Sequence, residues 1–276
     1  MSFFCASDLA AGYGGRRVIE GVSFCLEASR VVGVLGANGS GKTTLIKAVC
    51  GILPHGGSCV LEGRRLEGLP PKELAGLCGY IPQRSGISIG ISVLDVVLMG
   101  QNPRLRLLER PSGGMKERAR RALSQVGLKG REEENYLELS EGQKQLCILA
   151  RALSSGGKLL LLDEPESALD FLHRYRTLEL LKEWAGKERR AVMAALHDPS
   201  LSLNCCDRLL LLSKGRILAE LSPETDPLEE MEEKLSALYG PVSLQRCRDR
   251  SGQEQLVMLR ETAKELWNGA LEWGKK

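Results

Sequence analysis

The chain alternates short apolar runs with amphipathic stretches. Positions 18–26 alternate apolar and polar residues, the pattern of a half-buried strand. Positions 31–35 form an apolar run ending at Gly36, as expected for a strand buried on both faces, and 45–49 continue in helical fashion. Positions 59–61 and 63–66 read as a hairpin around Glu62 and Gly63. From position 93 to about 156 the period becomes helical. Helices are predicted over 93–99 and 116–126, separated by a stretch with Pro and Gly at 102–114, and again over 143–153. In that last helix Leu146, Leu149, Ala150 and Leu153 share one face. A buried strand at 159–162, an amphipathic helix at 172–185 and strands at 191–196 and 208–212 follow. This alternation predicts an α/β fold, a mostly parallel sheet covered on both faces and interrupted by a helical block. Beyond Pro223 the pattern weakens: 224–234 reads as an acidic helix, and 261–273 as one more.

Composition narrows the classes. With 276 residues, 43% hydrophobic and 26% charged, the chain is globular and long enough to bury a large core. A net charge of +3 is too balanced to argue for a nucleic-acid partner. No stretch approaches the ~20 apolar residues of a membrane span. The first ten residues carry Asp8 and no basic region, so a secretory leader is not expected. The expected location is the cytosol, with any membrane role supplied by a partner. The nine cysteines contain no Cys-x-x-Cys pair, and Cys205 and Cys206 are adjacent. They are expected to be reduced thiols acting as small hydrophobes, not a disulfide frame or a zinc site.

Candidate chemistry begins at Gly36, where Gly36-Ala37-Asn38-Gly39-Ser40-Gly41-Lys42-Thr43 fits Gly-x-x-x-x-Gly-Lys-Ser/Thr between a predicted strand and a predicted helix. Glycines let backbone N–H groups curl toward phosphate oxygens, and the helix start adds partial positive charge. Lys42 is expected on the β- and γ-phosphates, Thr43 on Mg²⁺, and Thr44 beside them. A chance glycine turn is improbable at this length and context, but the motif indicates only a nucleoside triphosphate. A second signal is the run of four leucines ending in Asp163-Glu164-Pro165. The end of a buried parallel strand faces the ligand crevice. Asp163 is therefore expected to reach Mg²⁺, and Glu164 the attacking water as candidate general base. Alone, such a pair is more often a solvated turn; beside the phosphate loop it reads as catalytic.

Leu139-Ser140-Glu141-Gly142-Gln143, with Ser140 lying 23 residues before Asp163, resembles the signature of the ABC transporter ATPase family, commonly Leu-Ser-Gly-Gly-Gln. The resemblance covers roughly residues 9–221. It implies a P-loop NTPase (RecA-like) core sheet with an antiparallel β subdomain and an inserted helical subdomain at about 88–156, within an ATPase domain of 1–222 followed by an extension of 223–276. It implies that Ser140, Gly142 and Gln143 meet the γ-phosphate held by a second copy, so that two ATP molecules join a homodimer. Glu141 departs from the common glycine and is expected to point outward. By the same resemblance, Gln83 matches the glutamine that senses Mg²⁺ and the water. Asp170, in Ser167-Ala168-Leu169-Asp170, matches the loop that crosses the dimer interface. His197 matches the γ-phosphate switch, and Tyr13 the aromatic that stacks on adenine.

A finer resemblance lies in residues 57–83 and then Ile91-Ser92-Val93-Leu94-Asp95-Val96-Val97-Leu98-Met99-Gly100 with Pro103. It is similar to ATPases of importers for iron–siderophore, haem or cobalamin. This implies integral membrane permease subunits as partners, an extracytoplasmic substrate-binding protein reached indirectly, and a place on the cytoplasmic face of the membrane. An exporter's ATPase chain, a soluble ABC ATPase acting on DNA or ribosomes, and a non-catalytic module are the competing readings. Retention of Lys42, Asp163, Glu164 and His197 argues against the last.

Overall fold

A computed structural model describes residues 2–83, 85–106 and 108–261. The chain opens with β1 (Phe4–Tyr13), β2 (Arg16–Leu26), β3 (Arg30–Leu35), α1 (Lys42–Val49), β4 (His55–Leu61), β5 (Arg64–Arg65), α2 (Pro71–Leu77) and β6 (Cys78–Ile81). A helical run follows: α3 (Val93–Leu98), a 3-10 turn (Met99–Arg104), α4 (Gly113–Gln125), a second 3-10 turn (Tyr136–Glu138) and α5 (Glu141–Ser155). Then come β7 (Leu159–Asp163), α6 (Phe171–Ala185), β8 (Ala191–Ala195), α7 (Pro199–Cys205), β9 (Arg208–Ser213), β10 (Arg216–Leu221), α8 (Leu228–Tyr239), β11 (Val242–Arg248) and β12 (Glu254–Arg260).

The main sheet has the order β10-β9-β3-β8-β7-β6, with only β10 antiparallel to its neighbour. Its inner strands β3, β7, β8 and β9 are apolar runs because both faces are covered. Period two divides them between two cores. Leu160, Leu162, Val192, Ala194, Leu209 and Leu211 pack on one face with the helical run, α6 and α8. Leu159, Leu161, Ala191, Met193, Leu210 and Leu212 pack on the other with α1 and the antiparallel sheet, ordered β2-β1-β4-β5. Each fully buried leucine contributes roughly 1.5–3 kcal/mol, so the four leucines of β7 fix that strand, and with it the carboxylates at its end.

Two expectations are corrected. First, Cys5 and Cys25 are not free thiols: they form a disulfide between β1 and β2. They lie directly opposite in the antiparallel register, with Cα atoms 4.1 Å apart, a pairing their separation of 20 residues hides in the sequence. The other seven cysteines are free. Burial pushes the Cys50 thiol up to about 11 and those of Cys59, Cys78 and Cys147 up to about 12, so these four thiols are held protonated. Second, the acidic helix starts at Leu228 after Pro227, not at 224; proline is pre-set for a helix start. Its Met231 and Leu235 are fully buried, so it packs as part of the fold. The weakly patterned segment after it, which carried no assignment, forms the β11–β12 hairpin. The helix expected over 261–273 lies, from residue 262 on, outside the described residues.

Candidate active site

β3 runs out at Leu35 and the chain turns through the glycine-rich loop into α1. Gly39 (φ 78°) and Gly41 (φ 108°) occupy the left-handed region, where a side chain is strained. At Gly36 space decides: a Cβ there would sit 2.4 Å from the Leu212 carbonyl oxygen. Asn38 and Gly39 stand exposed at the rim, while Ser40, Lys42 and Thr44 are buried. The Lys42 ammonium folds back into the loop, donating to the carbonyl oxygens of Gly36 at 2.7 Å and Ala37 at 3.4 Å. Burial lowers its pKa, opposed by the nearby carboxylates of Glu164, Asp163 and Glu166. The Ser40 hydroxyl is buried without a hydrogen-bond partner.

β7 lies between β6 and β8 and carries Asp163 at its C-terminal end. The Thr43 hydroxyl donates to Asp163 Oδ1 at 2.9 Å, which joins the loop to the strand end. Desolvation raises the Asp163 pKa, and the Thr43 bond partly offsets this. Glu164 turns out of the strand with φ 54° while its N–H donates to the Ala195 carbonyl at 3.1 Å. That left-handed turn aims the carboxylate into the cleft. There Gln83 Nε2 donates to Glu164 Oε2 at 2.5 Å, and His197 Nε2 contacts Glu164 Oε1. Residues 38–44 line this cleft together with Gln83, Glu164, His197 and Val18.

The structure therefore brings together the phosphate loop, Asp163, Glu164, Gln83 and His197. It does not bring Ser140, Gly142, Gln143, Asp170 or Tyr13 into the cleft lining. Ser140 caps α5: its Oγ accepts the Gln143 N–H at 3.3 Å, and Gln143 Oε1 accepts the Ser140 N–H at 3.0 Å. Gly142 faces Ala168, whose carbonyl oxygen is 3.3 Å from where a Cβ would stand. Glu141 points to solvent and pairs with Lys144 at 2.9 Å, the outward orientation expected of it. Asp170 caps α6 and is exposed. Tyr13 ends β1 opposite Arg16 with half its surface exposed.

Residues 19–167 match the family described as ABC transporter. The chain belongs to the ABC transporter family. The Hemin import ATP-binding protein HmuV of Vibrio cholerae is 34% identical over 78% of this chain and 84% of its own length. The Cobalamin import ATP-binding protein BtuD of Halobacterium salinarum is 33% identical over 74% of this chain and 51% of its own. A solved structure described as an inward-facing conformation of a putative metal-chelate type ABC transporter aligns with a TM-score of 0.78 at 27% identity, covering 95% of this chain and 99% of that one. This ABC chain is an ATP-binding, ATP-hydrolysing subunit with a P-loop core. Among its described residues, no helix is long and apolar enough to cross a membrane.

One residue of this ABC site escaped the sequence reading. Glu166 is 3% exposed, and its Oε1 accepts the His197 N–H at 3.0 Å. Its charge gave no signal beside Asp163 and Glu164, because a third acidic residue after a strand reads as more of the same solvated turn.

Proposed function

We propose that this ABC ATPase drives import of a metal-chelate, haem or cobalamin-class substrate through a separate membrane permease. The observation that carries the catalytic part is Glu164 gripped by Gln83 and His197, one partner per carboxylate oxygen, beside the Thr43–Asp163 pair. In this reading Glu164 orients and deprotonates the attacking water. Lys42 exchanges two neutral carbonyls for charged β- and γ-phosphate oxygens, a stronger charge-assisted contact. The donor set fits Mg²⁺: Thr43 hydroxyl, Asp163 carboxylate and the Gln83 side-chain carbonyl are hard oxygen donors. Those three residues would hold the ion, which when bound neutralises charge on the phosphates. The unpartnered Ser40 hydroxyl is a further donor for a phosphate oxygen.

Because Ser140, Gly142 and Gln143 stand outside their own chain's cleft, they are read as acting on ATP held by a second copy, with Asp170 at the seam and Tyr13 against adenine. The division into an ATPase domain of 1–222, with its helical subdomain, and an extension of 223–276 belongs to the same reading. A groove between α1, α2 and α5 is lined by Ile52, Leu74, Met99, Pro103 and Arg151. The exposed apolar Ile52 and Met99 suit it to a permease's cytoplasmic helix. The chain would then sit on the cytoplasmic face of the membrane, reaching an extracytoplasmic binding protein only through the permease.

Support for the cargo class comes from relatives named for hemin and cobalamin import. The test is ATP-dependent transport in proteoliposomes holding this chain and the permease it co-purifies with. Haem, a ferric siderophore and cobalamin are offered on the side opposite the ATPase. Accumulation of one of them, lost in Glu164→Gln, is expected; movement only away from the ATPase side would identify an exporter.

A further inference from the structure

The antiparallel sheet carries a second cluster of chemically competent side chains, set apart from the residues that line the nucleotide cleft. His55 and Cys59 lie on β4, and Glu67 lies in the turn between β5 and α2. In a straight strand, residues four apart are separated by about 13 Å. Here Gly57, with φ 84°, kinks β4 between them. The imidazole, thiol and carboxylate ligand atoms all come within 4.8 Å of one another, the one such group among the described residues.

The contacts around these three atoms favour an ion between them. His55 Nδ1 lies 3.1 Å from the Gly56 carbonyl oxygen. A carbonyl only accepts, so Nδ1 carries a proton, and the tautomer that this selects has its lone pair at Nε2. A backbone carbonyl on the far nitrogen is the usual partner of a metal-ligating histidine. Nε2 in turn faces Glu67 Oε1 at 3.9 Å, too long for a hydrogen bond. The carboxylate is pinned: Oε1 accepts the Cys59 N–H at 2.5 Å and Oε2 accepts Arg65 Nε at 2.9 Å. Cys59 is fully buried.

We propose that His55 Nε2, Cys59 Sγ and Glu67 Oε1 bind a borderline-soft divalent transition ion of the zinc class. Three protein ligands of mixed N, S and O type are a zinc-like set with a fourth position left for water. Mg²⁺ and Ca²⁺ are excluded by the thiol and imidazole. On binding, the Cys59 S–H bond breaks, its proton passes to solvent, and Sγ bonds the ion. The cluster is hidden in the sequence because a single cysteine contributes, without any Cys-x-x-Cys spacing.

Cobalt(II), the probe, is titrated into the full chain without nucleotide, and Zn²⁺ is then added in competition. The expected result is a thiolate-to-cobalt charge-transfer band that saturates at one equivalent and is displaced by Zn²⁺. It should vanish in Cys59→Ser, weaken at least ~10-fold in affinity in His55→Ala and Glu67→Gln, and persist in Cys247→Ser. Cobalt held at Thr43 and Asp163 would meet only oxygen and give no such band. Should Cys59→Ser fail to fold, the two milder variants carry the test, with circular dichroism as the check on their fold. Absence of a thiolate band in the wild type, its survival in Cys59→Ser, or unchanged affinity in both milder variants would overturn the site and leave a His55–Glu67 ion pair.

Discussion

The backbone N–H of His197 donates to the buried carboxylate of Glu166, 31 positions earlier in the chain, at 3.0 Å. The bond ties the segment after β8 to the segment after β7. It therefore sets where the His197 ring begins, and that ring meets Glu164. Glu166 is read as positioning His197 while touching no reactant. Glu166→Ala should lower kcat by about 10- to 100-fold, the scale of a misplacement near 1 Å, with ATP affinity changed less than about 2-fold. Glu166→Gln keeps the acceptor and should retain most of the rate. Steady-state ATPase assays and nucleotide titration check this; equal loss in both variants would assign the effect to charge.

Glu166 also links stability to pH. Burial raises its pKa above the ordinary carboxylate value, opposed by the His197 N–H bond. The folded state therefore holds this proton at pH values where the unfolded chain, near pKa 4.3, has released it. Stability from this group is full below the unfolded value and falls as pH rises toward the folded one. Glu166→Gln removes that proton. Relative to the wild type, its thermal midpoint should gain progressively from about pH 4 toward neutrality. Parallel midpoints across that range would show that Glu166 does not titrate differently on folding.

These two predictions concern a residue that sequence pattern could not single out. What was legible is what period and spacing encode. The leucines of β7 announce a buried parallel strand, and Gly36 to Thr43 announce a phosphate loop between strand and helix. The missing parts depend on partners distant in sequence. Cys5 meets Cys25 only through the register of β1 on β2. Glu166 has a role only because His197 arrives beside it. The hairpin of β11 and β12 is mostly exposed or half-buried, so its apolar pattern is faint.

Glu164→Gln keeps shape and one acceptor oxygen but removes the proton acceptor. The amide also no longer carries the charge that faces His197 Nε2. Turnover should fall by about 10²–10⁴-fold, the range for losing a general base. The phosphate loop and Lys42 are untouched, so ATP should still bind. With hydrolysis blocked, the nucleotide-joined pair of chains should persist. Light scattering coupled to size exclusion with ATP should then report a dimer for this variant and not for the wild type after turnover. Full turnover in Glu164→Gln would remove Glu164 from the base role.

The extension can be tested as part of the fold. Met231 and Leu235, one turn apart on α8, are fully buried in the core that holds Leu209, Leu211 and Leu221, while the acidic Glu229, Glu230 and Glu233 face out. α8 thus covers an apolar edge of the main sheet, which would otherwise meet water. Leu235→Ala should cost about 2–5 kcal/mol, and Glu233→Ala less than about 0.5 kcal/mol. Urea unfolding followed by both tryptophan fluorescence and circular dichroism makes the comparison. Coincident transitions that shift together in Leu235→Ala place α8 within the cooperative unit. An early, separate transition would make it an independent appendage, and the loss of Leu235 would then leave the main midpoint unmoved.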